Sequence, residues 1–216
     1  RSSAATAWRR PGATTVNTVG AGTNGNIILT AGYDFAAVAA ADRNAFGVTD
    51  NGGAAASTTA TIDIGNTTLT SGDGIVLTSA GAMALNSLTA PGDISATSNF
   101  NSVSVNNGSA ISAGTDGAGN FTVTADIAIA IGSAVVITAG TDVSLYADTT
   151  GDDAAANATT IDVDTGTTIT AGLNNNWTAS EGIIIDGQIS QGGLPNFLTG
   201  IAAVSNGLFT LEDDGV

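Results

Sequence analysis

Residues 69–114 read LTSGDGIVLTSAGAMALNSLTAPGDISATSNFNSVSVNNGSAISAG. One turn formula recurs within them, as Leu69-Thr70-Ser71-Gly72-Asp73, Leu88-Thr89-Ala90-Pro91-Gly92-Asp93 and Ile111-Ser112-Ala113-Gly114. Its glycines at 72, 92 and 114 are 20 and 22 residues apart. A strand-and-turn unit that returns about every 20 residues marks the coil of a parallel β-helix, where similar residues stack over similar residues. The formula also occurs outside this stretch, at Leu29-Thr30-Ala31-Gly32, Ile137-Thr138-Ala139-Gly140 and Ile169-Thr170-Ala171-Gly172. Gly, Asn and Asp at these places tolerate the positive φ that solenoid corners require.

Between the turns the chain alternates with period two, the signature of half-buried strands. The alternation places Ile62, Ile64, Ile75, Leu77, Val103, Val105, Phe121, Val123, Ile127, Ile129, Val143, Leu145, Ile161, Val163, Ile183 and Ile185 inside. Aromatic residues are only 5% of the chain, too few for the large rings of an ordinary sandwich core, and small side chains suit a narrow interior. The expected fold class is therefore all-β, a parallel β-helix or solenoid with coils of about 20 residues and two inserted loops. A β-sandwich or jelly-roll filament subunit is the alternative.

A longer repeat overlies the short one. Residues 54–64 (AAASTTATIDI) return as 154–163 (AAANATTIDV), and Thr67-Thr68-Leu69-Thr70-Ser71-Gly72 returns as Thr167-Thr168-Ile169-Thr170-Ala171-Gly172. The match extends backward, pairing residues 28–34 with 136–142. This predicts an extended N-terminal segment at 1–24, a first long repeat at 25–131, and a second long repeat with the C-terminal end at 132–216. Residues 33–59 and 146–158 are rich in Ala, Asp and Gly and read as loops leaving equivalent corners, the first with a short helix over 35–46.

The formal net charge is −15. The four basic residues are Arg1, Arg9, Arg10 and Arg43, and Lys and His are absent. Such a surface repels nucleic acid and anionic membrane, whose phosphates are bound through Lys and Arg. Mean hydropathy is +0.27, which supports a packed core rather than a disordered acidic chain. Cys is absent, so disulfides and thiolate metal sites are excluded. No apolar run reaches the ~18–20 residues of a membrane-spanning helix.

The short repeats resemble the haemagglutinin repeats of filamentous haemagglutinin-like exoproteins, large β-helical surface adhesins. The residues that carry the resemblance are Gly25-Asn26-Ile27-Ile28-Leu29-Thr30-Ala31-Gly32, Gly74-Ile75-Val76-Leu77-Thr78-Ser79-Ala80-Gly81 and residues 88–97 (LTAPGDISAT), within a span of about residues 25–190. The resemblance implies a right-handed parallel β-helix, secretion to the cell surface and a role in adhesion. No stretch matches that family's secretion domain.

Catalysis has little to work with. Without His or Cys, neither a Ser-His-Asp nor a Cys-His arrangement exists. A lyase acting on an acidic polysaccharide wants a nearby cation, and none lies beyond Arg43. Paired carboxylates, Asp162 with Asp164 or Asp152 with Asp153, are the remaining option for glycoside hydrolysis. If a cofactor is bound it is calcium, which takes hard oxygen ligands, with Asp148, Asp152 and Asp153 as the candidate ligands and Asp50 with Asn51 as a second cluster. Asn66, Asn107, Asn120, Asn157 and Asn176 head Asn-x-Ser/Thr sequons. The runs Thr67-Thr68-Leu69-Thr70 and Thr167-Thr168-Ile169-Thr170 read as outward threonine ranks and raise an ice-binding solenoid, against which their irregular spacing argues.

Arg1, Arg9 and Arg10 at the head and Glu212, Asp213 and Asp214 at the tail are candidates for pairing between copies. The expectation is thus a secreted, non-enzymatic structural or adhesive protein at the cell surface. It forms an extended element by self-assembly into an oligomer or polymer. Its further partner is a host-surface or carbohydrate receptor, with no nucleic acid and no membrane insertion. The alternatives are a carbohydrate-active β-helix enzyme and a phage or surface-layer shell component.

Overall fold

β-Branched and small residues flanked by Gly, Asn and Asp turns give short strands that pair in parallel, each with its counterpart one coil away. The structure, a computed structural model, describes residues 7–9, 15–17, 25–31, 60–147, 160–179, 182–191, 201–205 and 208–211. The described strands run coil by coil. The first coil holds β1 (Ala7–Arg9), β2 (Thr15–Asn17) and β3 (Ile27–Ala31). Then come β4 (Thr61–Asp63), β5 (Thr68–Thr70) and β6 (Ile75–Ser79), followed by β7 (Met83–Leu85), β8 (Leu88–Ala90) and β9 (Ile94–Ser98). The central coils are β10 (Val103–Val105), β11 (Ala110–Ala113) and β12 (Phe121–Ala125), then β13 (Ile129–Ile131), β14 (Val136–Ala139) and β15 (Asp142–Ala147). After them stand β16 (Thr160–Val163), β17 (Thr168–Ala171) and β18 (Asn174–Ala179), then β19 (Gly182–Ile185), β20 (Gln188–Gln191), β21 (Ile201–Ser205) and β22 (Leu208–Leu211).

Every third strand joins the same sheet. Sheet I is β1-β4-β7-β10-β13-β16-β19-β22, sheet II is β2-β5-β8-β11-β14-β17-β20, and sheet III is β3-β6-β9-β12-β15-β18-β21. This is a three-sided parallel β-helix, with no helix among the described residues. Residues 7–9 and 15–17, from the segment read as an N-terminal extension, are the sheet I and sheet II strands of the first coil, paired with 61–63 and 68–70.

The core is a set of columns running the length of the solenoid. Ile62, Met83, Val103, Ile129, Ile161 and Ile183 form an inward column of sheet I. Leu69, Leu88, Ile111, Ile137, Ile169 and Ile189 form that of sheet II. Ile75, Ile94, Phe121 and Val143 form that of sheet III, where Asn175 then takes the next place. All of these are buried, and the apolar ones belong to a single cluster. Buried serines are satisfied locally: Ser79 Oγ and Ser98 Oγ both donate to the Gly81 carbonyl, at 2.6 and 2.9 Å.

The alternation is correct at fifteen of the sixteen expected core positions and fails at Ile127, which is half-buried. Ile127 precedes β13 in the turn from sheet III to sheet I, where its N–H donates to the Asn101 carbonyl at 3.3 Å, so strand parity has not yet begun. The loop expected at 146–158 also begins too early, because Tyr146 and Ala147 complete β15. The rest of that segment, the loop at 33–59 and the helix expected at 35–46 lie outside the described residues. Both segments do connect a sheet III strand to the next sheet I strand, β3 to β4 and β15 to β16, so they leave the same corner.

Coil length varies more than the glycine spacing implies. Leu69 to Leu88 is 19 residues, whereas Ile137 to Ile169 is 32, yet all four share one column. The repeat of roughly 100 residues is four such coils: Ile62 and Ile161 share a column, as do Leu69 and Ile169. Its backward extension is not structural. Residues 28–31 lie in β3 of sheet III and residues 136–139 in β14 of sheet II, because the formula apolar-Thr-Ala-Gly ends strands of both sheets. The boundary drawn at 131/132 falls between β13 and β14 of one coil.

The glycines of the formula allow coils to close over one another. A Cβ on Gly172 would run into the carbonyl oxygen of Gly140, and one on Gly140 would sit 3.0 Å from the carbonyl oxygen of Gly114.

Candidate binding surface

Most candidate site residues read from the sequence lie outside the described residues. These are Asp148, Asp152, Asp153, Asp50 and Asn51 for calcium, and Arg1, Arg10, Glu212, Asp213 and Asp214 for assembly. Arg9 ends β1, its Cα in register with that of Asp63. Among the described residues, no group of three or more His, Cys, Asp or Glu is placed to hold a metal ion. Asp162 is exposed on sheet I, beside Ala130 and Ile184 in register. Asp164 lies past the end of β16 in the corner. Its Oδ2 accepts from Ser133 Oγ at 2.7 Å and its Oδ1 from the Thr165 N–H at 2.8 Å, so this carboxylate braces a turn.

The threonine runs divide between inside and outside. Thr67 and Thr167, read as outward, are buried. Thr167 Oγ1 donates to the Gly132 carbonyl at 2.7 Å and accepts the Val135 N–H at 3.3 Å, tying two coils together. Thr68, Thr70, Thr168 and Thr170 do face outward from sheet II.

Sequence reading missed a ladder at the corner where each coil enters sheet III. The position just before the strand core is Asn26, Gly74, Asp93, Asn120, Asp142 and Asn174 in successive coils. Asn26 Oδ1 accepts the Gly74 N–H at 2.7 Å. Asp93 Oδ1 accepts both the N–H and the Nδ2 of Asn120, at 2.8 and 3.0 Å. Asn120 Oδ1 accepts the Asp142 N–H at 3.2 Å, and Asp142 Oδ1 repeats the pair of bonds with Asn174, both at 3.0 Å. From Asp93 to Asn174 carboxylate and amide alternate, so Asn120 separates the charges of Asp93 and Asp142, and Asn120 and Asn174 each donate to the carboxylate one coil before. The signal for this ladder is an Asn or Asp at the start of every described sheet III strand from β3 to β18 except β6, where Gly74 stands, visible once the strands are aligned.

The three outer faces differ in chemistry. Sheet I presents small residues, Ala84, Ser104 and Ala130, between Asp63 and Asp162. An open depression of about 540 Å³ lies beside it, lined by Asn66, Ser104, Val105, Asn106, Asn107, Ala130 and Gly132, none of them titratable. Sheet III opens with exposed Ile28 and Val76 and continues with Ser95 and Thr122. Sheet II presents Thr70, Thr89, Ser112, Thr138, Thr170 and Ser190 in one outward column. Nine carboxylates fall among the described residues: Asp63, Asp73, Asp93, Asp116, Asp126, Asp142, Asp162, Asp164 and Asp186. None lies on the sheet II face; they stand on sheet I, at corners or on the rim of sheet III.

No protein-family model, no curated protein and no solved structure matches the chain.

Proposed function

We propose that this chain is a secreted, non-enzymatic structural and adhesive protein of the cell surface, which presents long repetitive faces and assembles with copies of itself. The observation that supports this reading best is the stacking of similar outward side chains over coil after coil, hydroxyls on sheet II and small residues along the middle of sheet I. A flat, stiff surface that repeats the same group at strand spacing, about 4.8 Å, favours many weak simultaneous contacts, whose affinities compound. The resemblance of residues 25–190 to haemagglutinin-type repeats points the same way. The receptor in this reading is a host surface or a carbohydrate. Self-assembly is assigned to Arg1, Arg9 and Arg10 meeting Glu212, Asp213 and Asp214 of a second copy, with calcium at Asp148, Asp152 and Asp153 as an accessory.

Two measurements test the reading. Beads coated with the chain should be retained on cell layers and polysaccharide-coated plates better than beads coated with the heat-denatured chain; equal retention rejects adhesion. Sedimentation velocity and negative-stain imaging of the full chain, with and without calcium, should show rods or fibres. Monodisperse monomer at high concentration rejects assembly. Polymers that persist after deletion of residues 1–12 remove the arginines from it.

A further inference from the structure

The sheet II face departs from the rest of the molecule in charge and in order. Thr70, Thr89, Ser112, Thr138, Thr170 and Ser190 hold one column without interruption, in Cα register from strand to strand. Thr68, Ala110, Val136, Thr168 and Gln188 share a second column two residues away on the same face, with Val136 exposed. The hydroxyls of the first column therefore recur about every 4.8 Å across the strands, and the second column, about 6.6 Å away along them, mixes hydroxyls with small and apolar side chains. In a chain of net charge −15 this face carries none of the nine described carboxylates.

Threonine is the informative residue type here. Its β-branch restricts χ1, so a stacked threonine column holds its hydroxyls and methyls in few orientations and loses little entropy when a partner binds. Thr170 Oγ1 and Ser190 Oγ lie 3.0 Å apart and hydrogen-bond to each other, which orders that end of the column further. A partner matched to this face is uncharged, flat and rigid, with hydrogen-bonding groups that repeat at the strand spacing and room for methyl groups beside them. A soluble glycan is one-dimensional and is usually held in a trough against aromatic rings, whereas this face is flat and its columns contain no aromatic side chain. A second protein copy would call for a more apolar patch. Crystalline water meets every requirement, since its surface offers hydrogen-bonding oxygens on a fixed grid and its cages accommodate methyl groups.

We propose that the sheet II face binds ice through the column Thr70–Thr89–Ser112–Thr138–Thr170–Ser190. The irregular spacing of these residues along the sequence is no obstacle. The corners absorb the differences in coil length, and the column stays in register. The proposal is independent of adhesion and self-assembly.

The test is partitioning of the purified full chain into a slowly grown ice hemisphere, with microscopy of single ice crystals. The wild type should concentrate in the ice, facet the crystals and lower the freezing point below the melting point. Thr89→Lys combined with Thr138→Lys should return uptake to the level of an acidic control protein. Ala84→Lys combined with Ser104→Lys, on sheet I, should leave uptake unchanged. Thr138→Val keeps the volume and one methyl while removing a hydroxyl, and should reduce uptake with an unaltered melting curve, which covers the case of a double variant that misfolds. Exclusion of the wild type from ice overturns the proposal, and so does undiminished uptake by the folded lysine or valine variants. Loss of uptake in Thr97→Lys, on sheet III, with retention in the sheet II variants would overturn the assignment of the face. A chain excluded from ice but retained on neutral polysaccharide would identify the face as a glycan surface instead.

Discussion

The coil formed by β10, β11 and β12 obeys every rule of its stack, while the two that follow break three of them. In the first, Phe121, Val123 and Ala125 fill the inward positions of sheet III, and Gly108 takes the left-handed corner at φ 69°. In the next coil the equivalent corner is Ala134, a non-glycine residue at φ 56°. In the one after, β18 directs Asn175 and Trp177 inward, where β15 has Val143 and Leu145. From Asn174 to Thr178, β18 nevertheless keeps its parallel register with β15. A stacked coil inherits its conformation from its neighbours, so a local misfit is carried by the ladders above and below it. Polar or strained residues thus cost stability without altering the path of the chain.

The regular coil is where the sharpest loss is expected. Val123 is wholly buried between Ala96 and Leu145 in register. Val123→Asp puts an unpaired carboxylate there and should cost several kcal/mol, unfolding the adjoining coils. Thr124→Asp, one residue along and facing out, should stay within about 0.5 kcal/mol. Urea melts of the two variants measure the contrast; similar midpoints would refute the inside/outside assignment of sheet III.

Next in size is the large ring of the irregular coil. Trp177 is wholly buried, yet its Nε1 has no hydrogen-bond partner. Its contribution is therefore volume and apolar contact, and Trp177→Ala should cost about 3–5 kcal/mol. Trp177→Leu, which restores the residue of β15, should recover most of that loss. If Leu were as damaging as Ala, the indole would be doing more than filling space.

The third effect has the opposite sign. Asn175 donates its Nδ2 to the Ser190 carbonyl at 3.1 Å, while its buried Oδ1 has no partner. One neutral hydrogen bond returns about 1 kcal/mol, and a buried unsatisfied acceptor costs about 1–3 kcal/mol. Asn175→Val, which continues the column from Val143, should therefore raise stability by about 1 kcal/mol. A destabilised variant would show that Asn175 serves the fold through a contact of its Oδ1 that forms in solution.

How far these features were legible follows from which of them are local. Alternation is local, and it identified fifteen core residues from Ile62 to Ile185, failing only where Ile127 sits ahead of its strand. Turn chemistry is local too, but it does not say which corner it serves. Leu29-Thr30-Ala31 and Ile137-Thr138-Ala139 read alike and belong to different sheets. Columns are not local. Thr89 and Ser112 are 23 residues apart, and Thr138 and Thr170 are 32 apart, so the sheet II rank looked aperiodic until register aligned it. The ladder of Asp93, Asn120, Asp142 and Asn174 was hidden for the same reason, since its members are neighbours only across coils.

The smallest effect tests the corner. Gly108, Ala134 and Gly166 stand at matching places between sheet I and sheet II, all with positive φ, at 69°, 56° and 70°. For an L-residue this conformation brings Cβ against the backbone and costs about 1–2 kcal/mol. Glycine escapes that cost but gives up more freedom on folding, by roughly 0.5–1 kcal/mol relative to alanine. The two terms nearly offset, and strain is the larger. Ala134→Gly should therefore stabilise the chain by less than about 1 kcal/mol. Gly166→Ala has open space for its Cβ, with the nearest atom, Ala134 N, 3.8 Å away, so its loss should report conformational strain alone and match that gain with opposite sign. Urea midpoints for the two single variants and the double exchange measure this directly. If both single variants shifted the midpoint in the same direction, the two corners would not be equivalent, and the shared φ would conceal different surroundings.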